Sequence, residues 1–252
     1  MALAEKEISI RAFRAVEDPE TCLRFIEGHK KVLTIYGIDN VTTNTNEWMY
    51  NSSVFVVAVE SLDKKRIFGG ARIQCVDGIN QLPIEEATGS MDPKVYSVVK
   101  HHSQFGACEL CGLWNSKEVA GLGIGSFLPA IVAVAITKQI GINILFALCS
   151  PFTTRFKDWI GGQILTTVGN NGTFYYPKLD LVATVLFSDG LADLPLTIPR
   201  VRDKMIHLRN NPICVVREKS PFKNKYIDVH YDLNIKSADL NEFKIKSETV
   251  LF

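Results

Sequence analysis

Short runs of β-branched and aromatic residues, divided by polar turns, dominate the first third of the chain. Such runs at ISIRAF (8–13), SSVFVVAVES (52–61) and RIFGGARIQ (66–74) predict strands. The charged turn LDKK joins the last two, so we expect a hairpin there. Between the first two strands a helix is predicted over 18–37, because Asp18 followed by proline opens the segment and a glycine closes it.

The second half of the chain alternates strands with helices. We predict strands at ACELCGLW (107–114) and INILFALCS (142–150), the latter an uninterrupted apolar run typical of a buried strand. The uncharged segment 119–137 lies between them and divides into a glycine-rich loop and an apolar helix over 126–140. Further helices are expected at 93–102, 152–162 and 199–211, and further strands at 163–169, 179–188 and 213–218.

This order of elements predicts an α/β (α+β) fold with one mixed central sheet and helices on both of its faces. We assign residues 1–220 to a single domain. The last thirty or so residues are polar and weakly patterned, so residues 221–252 are expected to form a C-terminal arm or tail.

The composition is that of an ordinary folded protein. The 252 residues are 46% hydrophobic and 22% charged, with a formal net charge of +1. This balance gives no reason to expect nucleic acid as a partner. The N-terminal residues MALAEKEISIRAF lack an apolar core of signal-peptide length, and the six cysteines are scattered. We therefore expect a cytoplasmic protein with buried thiols.

Two of the cysteines, Cys108 and Cys111, form the pattern CELC. A zinc site would need two further ligands, and the sequence has no second CxxC and no HxxxH pair. A thioredoxin-type pair would stand at the start of a helix, whereas CELC falls inside a predicted strand. We therefore expect no metal site.

The uncharged segment is long enough to raise the question of a membrane span. Three glycines alternate over residues 121–125, and each lowers helix stability by about 1 kcal/mol relative to alanine. The compactly apolar part, 127–136, would rise only about 15 Å as a helix, which is half of a bilayer core. We expect a buried helix there and no membrane span.

The same glycines suit a loop that holds phosphate. Glycine lets the backbone adopt positive φ and approach an anion, and the helix that follows turns N–H groups and the positive end of its dipole toward it. A P-loop is excluded because no lysine precedes Ser126. A dinucleotide-binding fingerprint matches only in part: Ser126 occupies the third glycine position, and the preceding strand ends five or six residues too early.

A third type of loop fits better. AGLGIG (120–125), followed by SFLPAIVAVAITKQIGINILFALCS, resembles the acyl-coenzyme A site of the GNAT superfamily of N-acetyltransferases. In that superfamily a strand leads into a [RQ]xxGxG loop, a helix and a second strand splayed from the first. Here ELCGLW matches the first strand, 126–140 the helix and 142–149 the splayed strand. The resemblance covers roughly residues 50–190 and departs at Ala120, where the motif has Arg or Gln.

A narrower resemblance concerns two groups of GNAT-fold enzymes. The segments VFVVAVES, RIFGGARIQ, LPIEE and CELCGLW are similar to the N-terminal half of acyl-homoserine-lactone synthases and long-chain N-acyl amino acid synthases. YYPKLDLVATVLFSDG is similar to the latter group. Both groups take acyl groups from acyl carrier protein or coenzyme A.

The resemblance implies acyl-coenzyme A as co-substrate, and residues that would hold it. Leu113, Trp114 and Asn115 would flank the thioester and the pantetheine arm. Ser150 and Phe156 would complete the donor site after the splayed strand. The pyrophosphate would lie on the loop and the start of the helix, namely Ala120, Gly121, Leu122, Gly123, Ile124, Gly125 and Ser126.

Glu109 is the candidate general base. In the family its strand exposes a backbone amide to the thioester carbonyl, and a glutamate inside an apolar strand is costly unless it is paired or functional. A structural salt bridge to Arg72 is the alternative. The family's acid is often a tyrosine where this chain has Phe156. The leaving thiolate therefore departs unaided or takes its proton from Ser150, Cys149 or a water.

Weaker candidates lie elsewhere. Glu85 and Glu86 are better explained as residues of a solvated loop. His101 and His102 are a second candidate base pair, which an exposed helix end explains equally well. In this fold, residues of the N-terminal helix such as Phe25 line the acceptor pocket, although core packing explains them better.

The resemblance thus implies an N-acyltransferase that moves an acyl group from acyl-coenzyme A, or from acyl carrier protein, to an amine of a small molecule. Two alternatives stay open. Ala120 and Phe156 favour a non-catalytic acyl-coenzyme A sensor of the same fold. The glycine loop is also compatible with a dinucleotide-binding enzyme. Whether the chain forms a homodimer also stays open.

Overall fold

The computed structural model describes residues 7–35, 46–154, 157–176, 180–220, 223–237 and 239–245. The chain forms two compact units. The first contains residues 1–73, 110–136 and 199–237, and the second contains residues 74–109, 137–198 and 238–252.

The described residues form strands and helices in alternation. The strands are β1 (Glu7–Arg14), β2 (Val54–Glu60), β3 (Ile67–Cys75), β4 (Ala107–Asn115), β5 (Ile144–Cys149), β6 (Gln163–Ile164), β7 (Thr173–Tyr176), β8 (Leu181–Ser188), β9 (Ile213–Lys219) and β10 (Tyr226–Asp232). The helices are α1 (Pro19–Ile35), α2 (Pro83–Thr88), α3 (Lys94–Ser103), α4 (Phe127–Ile136), α5 (Pro151–Thr154) and α6 (Pro199–Asn210).

The first unit is built on a mixed sheet whose strands are ordered β4-β3-β2-β1-β10-β9, with β4 contributing residues 110–115. β1 pairs antiparallel with β2 and parallel with β10, which pairs antiparallel with β9. The predicted strand at 8–13, the hairpin at 52–74 and the helix that Asp18 opens are all confirmed.

β2 is buried along its whole length because helices cover both of its faces. Val54, Val56 and Ala58 join a cluster with Cys22 and Phe25 of α1. Side chains of a strand alternate between faces, so the intervening residues face the other side, where α4 contacts β1 and β2. Nine of the ten residues of α4 are buried, which explains why this helix carries no charge. No helix within the described ranges is long and apolar enough to cross a membrane.

β10 lies in the region for which the sequence predicted an arm or tail. Glu7 of β1 lies opposite Asp228, and Asp232 at the end of β10 lies opposite Ile213. Buried Ile227, Val229 and Tyr231 alternate with more exposed polar residues. This alternation is a strand signal that the polar composition of the segment obscured.

The strands of the second unit are ordered β6-β8-β5-β4, with β7 also paired with β8. The first three residues of β4 pair parallel with β5, from Ala107 opposite Ile144 to Glu109 opposite Phe146. Residues of α2, α3, β5 and β8 enclose an apolar core that includes Leu82, Val99 and Phe146.

Two sequence-based expectations for the second unit were wrong in detail. Residues 83–88 form α2 rather than a loop, because Pro83 begins the helix and the Glu85 carboxylate accepts the N–H of Leu82 at 2.8 Å. The strand predicted over 163–169 is reduced to β6, since turns follow it.

A buried charge network fixes the start of α1 in the first unit. Asp18 Oδ1 accepts the backbone N–H of Thr21 at 3.0 Å, and Arg11 Nη2 lies 3.0 Å from Asp18 Oδ2. Arg11 also donates through Nε to Glu60, which is fully buried, at 2.8 Å. Burial alone would raise the pKa of Asp18, but the hydrogen bonds from Thr21 and Arg11 lower it. The cap and the ion pair therefore favour the ionised carboxylate.

We predict that Asp18→Ala lowers the free energy of unfolding by about 1–2 kcal/mol, because the helix loses its cap and Arg11 loses one of its carboxylates. Urea denaturation measures the change. Asp18→Asn is the matched control, since its side-chain oxygen still caps the helix, and it should lose less. Equal stability of the alanine variant and the unmodified protein would contradict the prediction.

Candidate active site

The glycine loop, residues 116–126, is held in the first unit by contacts that require glycine. Gly121 and Gly123 both have φ of 75°, in the left-handed region that other residues rarely adopt. A Cβ built on Gly125 would lie 2.0 Å from Asn115 Oδ1, so a larger residue does not fit there. Ser116 donates its N–H to Phe68 O at 2.8 Å and ties the start of the loop to β3.

The backbone of the loop also packs directly on the backbone of the sheet. A Cβ built on Gly69 of β3 would lie 2.4 Å from Gly125 O and 2.7 Å from Trp114 O. Because such distances leave no room for a side chain, glycine at position 69 is a condition for the path of the loop. The sequence run FGG in β3 gave no indication of this role.

The start of α4 presents a row of unused hydrogen-bond donors. Among the described residues, the backbone N–H groups of Gly123, Ile124, Gly125 and Ser126 have no acceptor. Gly123, Ile124 and Gly125 are buried. Buried N–H groups without a partner are rare in proteins, and at the N-terminus of a helix they favour an anion. The geometry at the start of α4 is therefore the kind that favours an anion.

Trp114 anchors an aromatic cluster on the α1 side of the first unit. Its ring lies edge-on to Phe25 at 5.7 Å and is stacked with His29 at 6.4 Å between centroids. A Cβ on Gly28 would lie 2.3 Å from the Trp114 ring, so glycine at that position makes room for the tryptophan. Trp114 Nε1 is buried and has no hydrogen-bond partner among the described residues.

Arg72 closes the same cluster. Its guanidinium lies 4.9 Å from the ring centroid of Trp48, and its Nε donates to Cys111 Sγ at 3.2 Å. Gly112, between Cys111 and Trp114 in the strand, has φ of 57°, which marks a local break in the regular pleat of β4. Leu113, the next residue, is half-buried.

His29 is uncharged at neutral pH. Burial, with the positive charge of Arg72 as a second cause, lowers the pKa of His29 to about 4. The unfolded chain therefore binds a proton between about pH 6.5 and pH 4 that the folded chain does not bind. The stability that depends on a neutral His29 is complete above about pH 6.5 and is lost as the pH falls toward 4.

Between pH 6.5 and pH 4, the unmodified protein should lose more unfolding free energy than His29→Gln does. We predict a difference of about 2–3 kcal/mol, because glutamine does not titrate. Denaturation of both proteins at several pH values measures the difference, in which the contributions of other groups cancel. Parallel pH profiles for the two proteins would contradict the lowered pKa of His29.

Glu109 lies in the second unit and is 2% exposed. Its Oε2 accepts the N–H of Ile84, near the start of α2, at 2.6 Å. The other end of α2 is held by Tyr176, whose hydroxyl donates to Ala87 O at 3.2 Å. Burial and the negative charge of Glu109 raise the pKa of Tyr176. Tyr176 is thus a polar neighbour of Glu109 that the sequence did not reveal, because β7 was not predicted.

The short helix α5 follows β5 in the second unit. Ser150 accepts the N–H groups of Thr153 and Thr154 through its backbone oxygen, both at 3.0 Å, and so begins α5. Burial is the main reason why the pKa of Cys149 is raised to about 11, and the negative charge of Glu109 adds to it. Cys149 is therefore a thiol at neutral pH. Phe156 lies outside the described residues.

The remaining candidates, His101, His102, Cys108 and Cys111, have surroundings that are typical of structural residues. His101 and His102 end α3, and the His102 ring lies 4.9 Å from that of Phe187. Cys108 and Cys111 are buried thiols. No group of three His, Cys, Asp or Glu side chains in the described ranges is placed to hold a metal ion.

The predicted site residues divide between the two units. The first unit contains the donor-site positions Leu113, Trp114 and Asn115 together with residues 120–126, and it brings Asn115 against Gly125. The second unit contains Glu109 and Ser150. The contacts of Gly69, His29 and Tyr176 join positions distant in sequence, so no local pattern could have revealed them.

Solved structures resemble the chain in fold. FeeM, an N-acyl amino acid synthase from uncultured soil microbes, aligns with a TM-score of 0.54 at 12% identity, over 78% of this chain and 97% of its own. BjaI, a CoA-dependent acyl-homoserine lactone synthase solved with SAM and isopentyl-CoA, aligns with a TM-score of 0.50 at 12% identity, over 94% and 97%.

The chain has the GNAT N-acyltransferase fold. The fold class predicted from the sequence, a mixed sheet with helices on both faces, is confirmed. The sequence itself matches no family model and no curated protein. At this level of identity the likeness establishes the GNAT fold, and the chemistry has to be argued from the residues.

Proposed function

We propose that the protein is an N-acyltransferase that moves an acyl group from acyl-coenzyme A to an amine of a small molecule. The observation that carries this proposal is the row of unpartnered N–H groups from Gly123 to Ser126 at the start of α4. The fold supports the same conclusion, because FeeM is an N-acyl amino acid synthase and BjaI was solved with isopentyl-CoA.

The glycine loop would hold the pyrophosphate of coenzyme A through its backbone. Gly121 and Gly123 let the chain turn so that no side chain stands between the amides and the phosphates. Leu113, Trp114 and Asn115 would flank the pantetheine arm and the thioester. Because coenzyme A is the proposed donor, we place the reaction in the cytoplasm.

The reaction needs a base and a donor to the developing oxyanion. Glu109 would accept a proton from the neutral amine as its nitrogen bonds to the thioester carbonyl carbon. The carbon–sulfur bond then breaks, and the coenzyme A thiolate takes up a proton to give the free thiol and an amide. Cys149, protonated at neutral pH, Ser150 or a water would supply that proton.

One observation favours a second function, a non-catalytic acyl-coenzyme A sensor. Glu109 accepts the N–H of Ile84, and a carboxylate that binds the N–H groups at the start of a helix often has a structural role. Ala120 also lacks the side chain that the catalytic motif carries. A sensor would bind the thioester and leave it intact.

Thioester turnover separates the two functions. Purified protein would be offered acetyl- and long-chain acyl-coenzyme A, and acyl carrier protein charged with the same chains, together with a panel of amines. Release of free thiol that depends on an amine supports the acyltransferase. Tight binding without release across the panel supports the sensor, and thermal stabilisation by NAD but not by coenzyme A supports a dinucleotide-binding enzyme.

We predict that Gly123→Val reduces coenzyme A affinity at least about tenfold, because a β-branched residue resists positive φ and its side chain obstructs the backbone amides. Calorimetric titration measures the affinity. Gly190→Val is the matched control: Gly190 has φ of 70° in a turn of the second unit, so the variant carries similar strain away from the loop. Unchanged affinity of Gly123→Val would refute the assignment of the loop.

We predict that Glu109→Gln lowers kcat about a hundredfold or more, since the amide still accepts the N–H of Ile84 but takes up no proton. The acidic limb of the pH–rate profile should also disappear. Glu85→Gln is the control, because the Glu85 carboxylate likewise accepts a backbone N–H, that of Leu82 just before α2. Wild-type turnover in Glu109→Gln, with its fold verified by circular dichroism, would remove Glu109 as the base.

A further inference from the structure

The turn between β9 and β10 contacts the glycine loop within the first unit. Lys223 Nζ donates to Ala120 O at 3.3 Å, and a Cβ built on Gly121 would lie 3.0 Å from Lys223 Cε. Ser220 Oγ accepts the N–H of Lys223 at 3.0 Å and lies 3.5 Å from Gly121 O. Two side chains of this turn are therefore directed at two consecutive carbonyl groups of the loop.

These contacts have an electrostatic consequence. Carbonyl oxygens carry partial negative charge and would oppose an anion on the loop. The contacts of Lys223 and Ser220 occupy the carbonyls of Ala120 and Gly121, while the N–H groups from Gly123 to Ser126 have no acceptor among the described residues. An ammonium has three N–H donors, so the bond to Ala120 leaves Lys223 with donors for a second acceptor.

We propose that Lys223 supplies the cationic side chain that the loop lacks at Ala120, and that it contacts a phosphate group of the acyl donor. In the [RQ]xxGxG motif the polar side chain belongs to the loop itself, whereas here it comes from a residue 103 positions further along the chain. The inference rests on the proposed function. It makes the turn between β9 and β10, in the region expected to be an arm or tail, a part of the donor site.

The phosphate has two sources, the pyrophosphate of coenzyme A and the single phosphodiester of a carrier-bound pantetheine. Three ligands separate them: coenzyme A, phosphopantetheine and pantetheine, which carries no phosphate. If Lys223 contacts a phosphate, its removal weakens binding of coenzyme A alone or of coenzyme A and phosphopantetheine. If Lys223 only holds the loop in shape, its removal weakens binding of all three ligands alike.

The test compares Lys223→Ala and Lys223→Arg with Lys225→Ala by calorimetric titration at low and high salt. Lys225 is exposed in the same turn, and its hydrogen bonds in the described chain run through its backbone. We expect Lys223→Ala to weaken coenzyme A binding about threefold to tenfold, to flatten its salt dependence and to leave pantetheine unaffected. Lys223→Arg should restore most of the affinity, and Lys225→Ala should bind as the unmodified protein does.

The outcomes separate this inference from the function it rests on. Equal affinity of Lys223→Ala and the unmodified protein for coenzyme A overturns the role of Lys223 and leaves the acyltransferase standing. An equal loss for coenzyme A and pantetheine overturns it as well, since the lysine then acts through the shape of the loop. Failure of the unmodified protein to bind coenzyme A overturns the proposed function itself.

Discussion

The close approach of three backbone segments, at Gly69, Trp114 and Gly125, is the constraint on which the candidate donor site depends. No side chain fits between them, so the loop before α4 lies directly against the sheet of the first unit. A loop in that position must turn sharply into the helix, and the turn uses positive φ at Gly121 and Gly123. The amides from Gly123 to Ser126 have no acceptor among the described residues, and on them the proposed donor site depends.

Two glutamates are buried in the fold, and each accepts hydrogen bonds of a different kind. Glu60 in the first unit meets the guanidinium groups of both Arg11 and Arg24. Those paired charges hold β1, β2 and α1 together. Glu109 in the second unit accepts the N–H of Ile84 in α2, which orients one of its carboxylate oxygens.

The sequence predicted the elements well where the pattern was local. Asp18 and Pro19 marked the start of α1, and the glycines at 121–125 separated the loop from α4 correctly. The apolar run of α4 had the length of a membrane span only when the glycines were counted with it. Burial on two faces explains the same composition.

What the sequence did not predict depends on contacts between distant positions. The role of Gly69 exists only once β3 lies under the loop, and Trp114 meets His29 only once α1 packs on β4. β10 was missed because its polar residues outweighed a short alternation of three buried ones. α2 was missed because six residues are too few to establish a helical period.

The parallel pairing of β1 with β10 also limits when the first unit can finish folding. One of the two neighbours of β1 is synthesised more than two hundred residues after it, since Glu7 pairs with Asp228. Until then one edge of β1 has unpaired backbone groups, which is a template for association with other chains. Contacts of such large sequence separation also slow folding. The first unit therefore completes its sheet only after β10 has been synthesised, and the free edge of β1 is exposed until then.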